Sequence, residues 1–184
     1  MAEVLAASNF VNGQRVLELG AGTGNQTIVM LRQGARELVA TEIREEFLEA
    51  TRRNIARNCP DADNIEYRGA DWLDTEGQFD VLVSNPPFCK SGKQNRRYFI
   101  DSLALDGHKR LVPRGTLLIV QSSMADLSKT LMQLDDNGFD ARVIDRTRGL
   151  FRDYYFEDKQ FMREIEEVAD GYELEHGKYY ECSS

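Results

Sequence analysis

The sequence predicts an α/β domain: a mostly parallel sheet with helices on both faces. Strand-length apolar runs alternate with helical patterns of about a dozen residues, the signature of strand–helix–strand units. The run Val16-Leu17-Glu18-Leu19 gives way to glycine at every second position, Gly20, Gly22 and Gly24, and a helical pattern follows. A buried strand delivers its chain to a ligand at the sheet's carboxyl edge in this way. At 184 residues and 41% hydrophobic, the chain is long enough to bury one substantial core.

The elements follow in order. Residues 2–11 carry Val4, Leu5 and Phe10 at helical spacing, and Asn12-Gly13 is a stop. Residues 15–19 form the first strand, and residues 25–33 a helix that Gly34 ends. Residues 37–41 are the second strand, ending at Glu42. Residues 45–57 form a charged amphipathic helix burying Phe47, Leu48 and Ile55, and Cys59-Pro60-Asp61 closes it. Residues 64–68 read as a short edge strand, followed by Gly69-Ala70-Asp71-Trp72. Residues 79–83 are the fourth strand and 94–110 a helix. Residues 111–115 are expected to turn, residues 116–120 to form the fifth strand, and 125–137 a helix stopped by Gly138. Residues 139–146 are the expected sixth strand. From Thr147 the character changes: 153–157 is aromatic and strand-like, 160–168 an acidic amphipathic helix, and 171–181 a hairpin or coil around Gly177. No repeat, low-complexity tract or linker interrupts the chain. The expected division is a main domain over 1–158 and a terminal helix with an aromatic tail over 159–184 packed on it.

Charge and composition exclude several classes. A net charge of −8 repels bulk nucleic acid, so contact with one requires a local basic patch. The three cysteines, Cys59, Cys89 and Cys182, lie far apart and show neither metal-site spacing nor a disulfide framework. A reducing cytoplasm is the expected setting. No apolar run has the length of a membrane span, and the first residues do not read as a secretory signal.

Three ligands compete for the glycine loop. A dinucleotide fingerprint wants a small residue three places after the second glycine, where this chain has Asn25. A phosphate loop wants a lysine followed by Ser or Thr at the helix start, which is missing. Adenosylmethionine has no phosphates and asks for backbone room plus an acid near the strand end for its amino group, which Glu18 supplies. A plain glycine turn is the alternative without a ligand. Glu42, ending the second strand, can accept two ribose hydroxyls. Both ribose-bearing cofactors share that feature. Ile43 can cover an adenine face. Asp71 can accept from the adenine amine, and Trp72 can stack.

Ser84-Asn85-Pro86-Pro87-Phe88 carries the chemistry. Two prolines fix φ and remove two donors. The residue before a proline is pushed out of the helical region, so Asn85 is held extended. The loop therefore presents two acceptors, the Asn85 side-chain oxygen and the Pro86 carbonyl. A planar amide or aryl amine holds its lone pair in conjugation. Acceptors on its two N–H bonds draw that nitrogen toward tetrahedral geometry, and its lone pair can then attack a methyl carbon in line. Phe88 offers a flat apolar face. Positioning supplies most of such catalysis, and no metal or general base is demanded.

On these motifs the chain resembles class I adenosylmethionine-dependent methyltransferases, in the group carrying Asn/Asp-Pro-Pro-aromatic. That group includes protein-glutamine N5-methyltransferases and enzymes methylating exocyclic base nitrogens. The resemblance spans residues 15–146. It implies a Rossmann-like fold with a seven-stranded sheet whose last strand is antiparallel, and residues 152–157 are the candidate for that strand. It implies S-adenosyl-L-methionine as cofactor, with Glu18, Gly20 and Gly22 along its methionine end, and Ala21, Thr23, Asn25 and Asn85 are further candidates to bind it. Glu42 and Ile43 would lie at its ribose and adenine, Asp71 and Trp72 at its adenine, and Asn85 to Phe88 at the accepting nitrogen. The acceptor is expected to be a protein glutamine, with a base amine in RNA or DNA and a small-molecule amine or amide as the alternatives. An inactive cofactor-binding subunit supporting a partner is the contrary reading, and an activating partner subunit stays open.

Lys90, Lys93, Arg96 and Arg97 could steer an anionic substrate, or simply begin a solvated helix. Cys89 reads as filler. Tyr154, Tyr155, Tyr172 and Tyr179 read as packing ahead of pocket lining.

Overall fold

A computed structural model describes residues 1–87 and 93–184, and no side chain of 93–96. It divides into two compact units, Met1–Asn85 with Asp106–Ile119, and Pro86–Leu105 with Val120–Ser184.

The first unit is a five-stranded parallel sheet: β1 (Arg15–Leu19), β2 (Glu37–Glu42), β3 (Ile65–Gly69), β4 (Phe79–Ser84) and β5 (Leu111–Ile119), in the order β3-β2-β1-β4-β5. Three helices belong to it: α1 (Ala2–Ala7), α2 (Asn25–Arg32) and α3 (Glu45–Asn58). β1, β2 and β4 read as nearly continuous apolar runs because they are inner strands, and Val16, Leu17, Leu38, Val39, Leu82 and Val83 are fully buried. Leu5 of α1 and Met30 of α2 join Val16, Leu38, Val81 and Leu118 in one cluster. β3 lies at the sheet edge, as its half-polar pattern predicts. Chain order runs outward from β1 to β2 and β3, then jumps back to β4 on the other flank of β1. That reversal makes β1/β4 the switch point at which open α/β sheets place their ligands.

The second unit contains α4 (Lys93–Asp106), α5 (Leu127–Asp136), α6 (Lys159–Ile165) and a three-stranded antiparallel sheet. That sheet has β6 (Thr147–Leu150), β7 (Glu173–Glu175) and β8 (Lys178–Ser183), in the order β6-β8-β7. The hairpin between β7 and β8 turns on His176 and Gly177, both at positive φ, the backbone a two-residue hairpin turn requires. Beneath the sheet, Phe151 packs against Tyr155, Tyr172 and Tyr179, and Tyr155 also meets Phe161. Those tyrosines pack, as expected. The end of the chain is tied down as well, because Gln121 and Ser184 exchange two backbone hydrogen bonds of 2.8 Å.

The sheet departs from expectation in four respects. The parallel sheet has five strands, not seven. Residues 139–146 do alternate, with Phe139, Ala141 and Val143 half-buried between exposed neighbours, but they join no ladder. Alternation marks an extended chain with one covered side and cannot supply a partner. Residues 152–157 form no antiparallel strand: Asp153–Tyr155 is a 3₁₀ turn. Its local bonds, Tyr155 N–H to Arg152 O and Phe156 N–H to Asp153 O, replace a ladder while Tyr155 is buried. The expected turn at 111–115 belongs to β5 instead. Phe79 pairs with Leu111 and Val81 with Thr116, so the intervening residues bulge, with Arg114 at φ +68°. Among the described residues, no helix is long and apolar enough to cross a membrane.

Candidate active site

Parallel register brings the strand ends together. Leu19 of β1 pairs with Thr41 of β2 on one side and Ser84 of β4 on the other, and Glu42 pairs with Gly69 of β3. Gly20, Glu42, Asp71 and Asn85, distant in sequence, therefore all leave the sheet at its carboxyl edge. Two buried hydroxyls fix these ends. Thr41 Oγ1 donates to Glu18 O at 3.0 Å, and Ser84 Oγ donates to Leu19 O at 3.2 Å.

The glycine loop is held from both sides. Gly20 and Ala21 N–H both donate to Thr41 O, at 3.0 and 2.9 Å, and Gly24 N–H to Ala21 O at 2.9 Å. Gly22 N–H donates to Glu42 Oε2 at 3.1 Å. From α3, Thr51 Oγ1 donates to Gly22 O at 2.9 Å and Asn54 Nδ2 to Thr23 O at 2.8 Å. With these amides spent internally, the loop is a poor phosphate cradle, which needs outward-pointing N–H groups.

The three glycines differ in what surrounds them. A Cβ on Gly24 would lie 3.0 Å from Thr51 Cγ2 and 3.3 Å from its Cα, so this glycine serves helix–helix contact. A Cβ on Gly20 or Gly22 would meet nothing within 4 Å. Both have positive φ and stand over open space, where a ligand can lie against bare backbone.

Glu18 is the least expected group in the fold. It is 1% exposed, Oε2 accepts from Thr27 Oγ1 at 2.5 Å, and Oε1 is buried without a partner among the described residues. Burial pushes its acid up to about 7, only partly offset by the Thr27 bond. The raised acid favours the folded chain at low pH, and that contribution is lost as pH rises from the ordinary 4.5 through about 7. A buried acceptor lacking a partner beside a glycine-lined opening suits a ligand that brings a cation.

Glu42 is buried, with Oε1 accepting from Arg44 N–H at 3.1 Å and Oε2 from Gly22. Each oxygen keeps a lone pair for a ribose hydroxyl, and the carboxylate is already oriented. Ile43 is 64% exposed. Thr23, Asn25 and Asp71 are exposed, and Ala21 is buried. Trp72 is half-buried at φ 45°, an unusual backbone for a bulky residue and one that concentrates at functional sites. Asn85 is exposed, Pro86 buried and Pro87 exposed. Phe88, Cys89 and Lys90 lie outside the described residues, as do the side chains of Lys93 and Arg96.

Arg97 is not a steering cation. It is 6% exposed and donates to Ala125 O, to Asp126 O at 2.8 Å, to Thr130 Oγ1 at 3.0 Å and to Gln133 Oε1 at 2.7 Å. It also pairs with Asp101 at 2.8 Å. Sequence reasoning missed Thr27, Thr51 and Asn54. Thr51 had a signal: it is the polar member of the buried stripe Leu48, Thr51, Ile55 on α3.

A parallel sheet with an open glycine loop at its switch point and a buried, already oriented carboxylate ending the next strand makes this edge the candidate ligand site. The matching family is the Methyltransferase small domain, over residues 1–148, and the chain belongs to it. As a member of that family it is a methyltransferase, with S-adenosyl-L-methionine as its cofactor. A Methanocaldococcus jannaschii protein provisionally named a protein N5-glutamine methyltransferase is 26% identical over 159 residues, 78% of this chain and 79% of that one. The tRNA1(Val) (adenine(37)-N6)-methyltransferase of Phocaeicola vulgatus is 33% identical over 113 residues, 60% of this chain but only 44% of that enzyme. Ribosomal protein L11 methylase from Lactobacillus delbrueckii subsp. bulgaricus shares the fold, with a TM-score of 0.62 at 18% identity over 100% of this chain and 76% of that one.

Proposed function

We propose that this methyltransferase acts on a planar amide or amino nitrogen, with a glutamine side chain of a protein as its acceptor. The observation that carries the reading is the register Leu19–Ser84, which brings Asn85 off the sheet next to the start of the glycine loop. Asn85 is exposed there and held extended by the proline after it. Its side-chain oxygen and the Pro86 carbonyl accept the two N–H bonds of the acceptor nitrogen and free its lone pair from conjugation. Glu18, Gly20, Ala21, Gly22, Thr23 and Asn25 line the methionine end of the cofactor. Glu42 orients its ribose, and Ile43, Asp71 and Trp72 flank its adenine. When bound, the cofactor supplies an electrophilic methyl on a sulfonium that is already a good leaving group.

A protein acceptor is favoured over nucleic acid by the net charge of −8 and by the internal role of Arg97, which removes one cation from the expected basic cluster. It is also the acceptor class in the name of the Methanocaldococcus relative. The unpaired Cys59 and Cys182 fit a reducing cytoplasm. Incubating the chain with methyl-labelled cofactor and separated protein, RNA and metabolite fractions tests the acceptor. Label should enter protein and be recovered as N5-methylglutamine after proteolysis. Label confined to RNA would replace the reading with base methylation. Label that enters protein only when a cell fraction is added would point to an activating subunit.

A further inference from the structure

Glu18 is buried with one hydroxyl donor, and its second oxygen has no hydrogen-bond partner among the described residues. Among the described residues, the groups that face it bring no opposite charge. Ala40 of β2 and Val83 of β4 flank it in register, and Thr27 faces it from α2. Glu42, at the neighbouring strand end, is engaged by the Gly22 and Arg44 amides. An ionised carboxylate so placed lacks a counter-charge, whereas a neutral acid needs none. Two residues further on, the open space over Gly20 and Gly22 is where a ligand would arrive.

We propose that Glu18 holds a proton in the cofactor-free protein at and below neutral pH and gives it up as the cofactor's ammonium group binds, so that cofactor capture is coupled to proton release. This rests on the reading of the glycine loop as the cofactor's seat. The balance is simple: the carboxyl O–H bond breaks, the proton leaves to solvent, and the carboxylate charge is matched by the incoming ammonium. Thr27 holds Oε2 in either form. Desolvation sets the acid of the empty protein at about 7, so both forms are accessible near neutral pH. The sign follows. A bound cation lowers that value, so affinity is greatest above pH 7 and falls about tenfold per pH unit below it, until the bound form also takes up a proton.

Titration calorimetry of the whole chain with S-adenosylhomocysteine, which keeps the ammonium group and cannot react, tests this. At pH 6.5, in buffers of different ionisation enthalpy, roughly three-quarters of a proton should be released per ligand bound. At that pH the ligand's own amino group is already protonated. Glu18→Gln should abolish the release. Thr27→Val removes a donor that favours the ionised acid, so it should move the pH midpoint of binding upward; it serves if the Gln variant does not fold. An infrared band of a neutral carboxyl should vanish on binding. Tight binding with buffer-independent heat would overturn the coupling and leave the cofactor seat standing. No binding at all would overturn both.

Discussion

Gly20→Ala and Gly24→Ala put the same methyl group at two points of one loop, and the structure assigns them different failures. Both backbones are left-handed, φ +72° and +82°, so each substitution carries strain. That strain is on the order of 1–2 kcal/mol for an L-residue. At Gly24 the new Cβ lies 3.0 Å from Thr51 Cγ2 and 3.3 Å from Thr51 Cα. The Cα belongs to the α3 backbone and cannot turn aside, so overpacking adds about 1–3 kcal/mol. The total at Gly24 is about 2–5 kcal/mol, a fall in Tm on the order of 10 °C for a chain of this size. At Gly20 nothing lies within 4 Å, so only the strain is lost from stability. The methyl there enters the opening instead, and cofactor affinity should drop at least about tenfold. Urea unfolding of the cofactor-free chain measures the first effect and calorimetry the second. Equal unfolding free energies for the two variants, or native affinity in Gly20→Ala, would refute the assignment of one glycine to α3 and the other to the ligand.

Asn85→Ala should leave cofactor affinity within a few-fold of the parent and lower kcat by a factor on the order of a hundred or more, as for loss of one transition-state acceptor; unchanged kcat would remove its role. Glu42→Ala should instead weaken cofactor binding by roughly tenfold or more, since it loses both the ribose contact and the Gly22 tether, with native affinity by calorimetry as the contrary result. Arg97→Gln should cost about 3–5 kcal/mol in urea unfolding, because a buried guanidinium with several acceptors is removed. Stability within about 1 kcal/mol of the parent would show that these bonds carry little.

The order of elements through β5 was legible because it depends on local patterns: apolar runs for inner strands, spaced apolar residues for helices, glycines at stops. The glycine loop and Asn85-Pro86-Pro87 were legible for the same reason, since each is a contiguous chemical motif. Thr27 was not, and the buried stripe that holds Thr51 gave its burial but not its partner. A threonine among apolar neighbours has no distinguishing local pattern until the chain brings Glu18 or Gly22 to it. Arg97 looked like a surface cation because charge is usually solvated, yet five acceptors from nearby segments surround it.

Short stretches of sequence were enough for the parallel α/β plan, the glycine loop, the acid that ends β2 and the proline-paired loop after β4. Tertiary structure alone decided which extended segments found partners. Residues 139–146 stayed outside any ladder, residues 152–157 turned, and β8 closed on β6. It also decided that Glu18 is sealed from water. Pairing and burial depend on groups far apart along the chain, and local propensity does not record them.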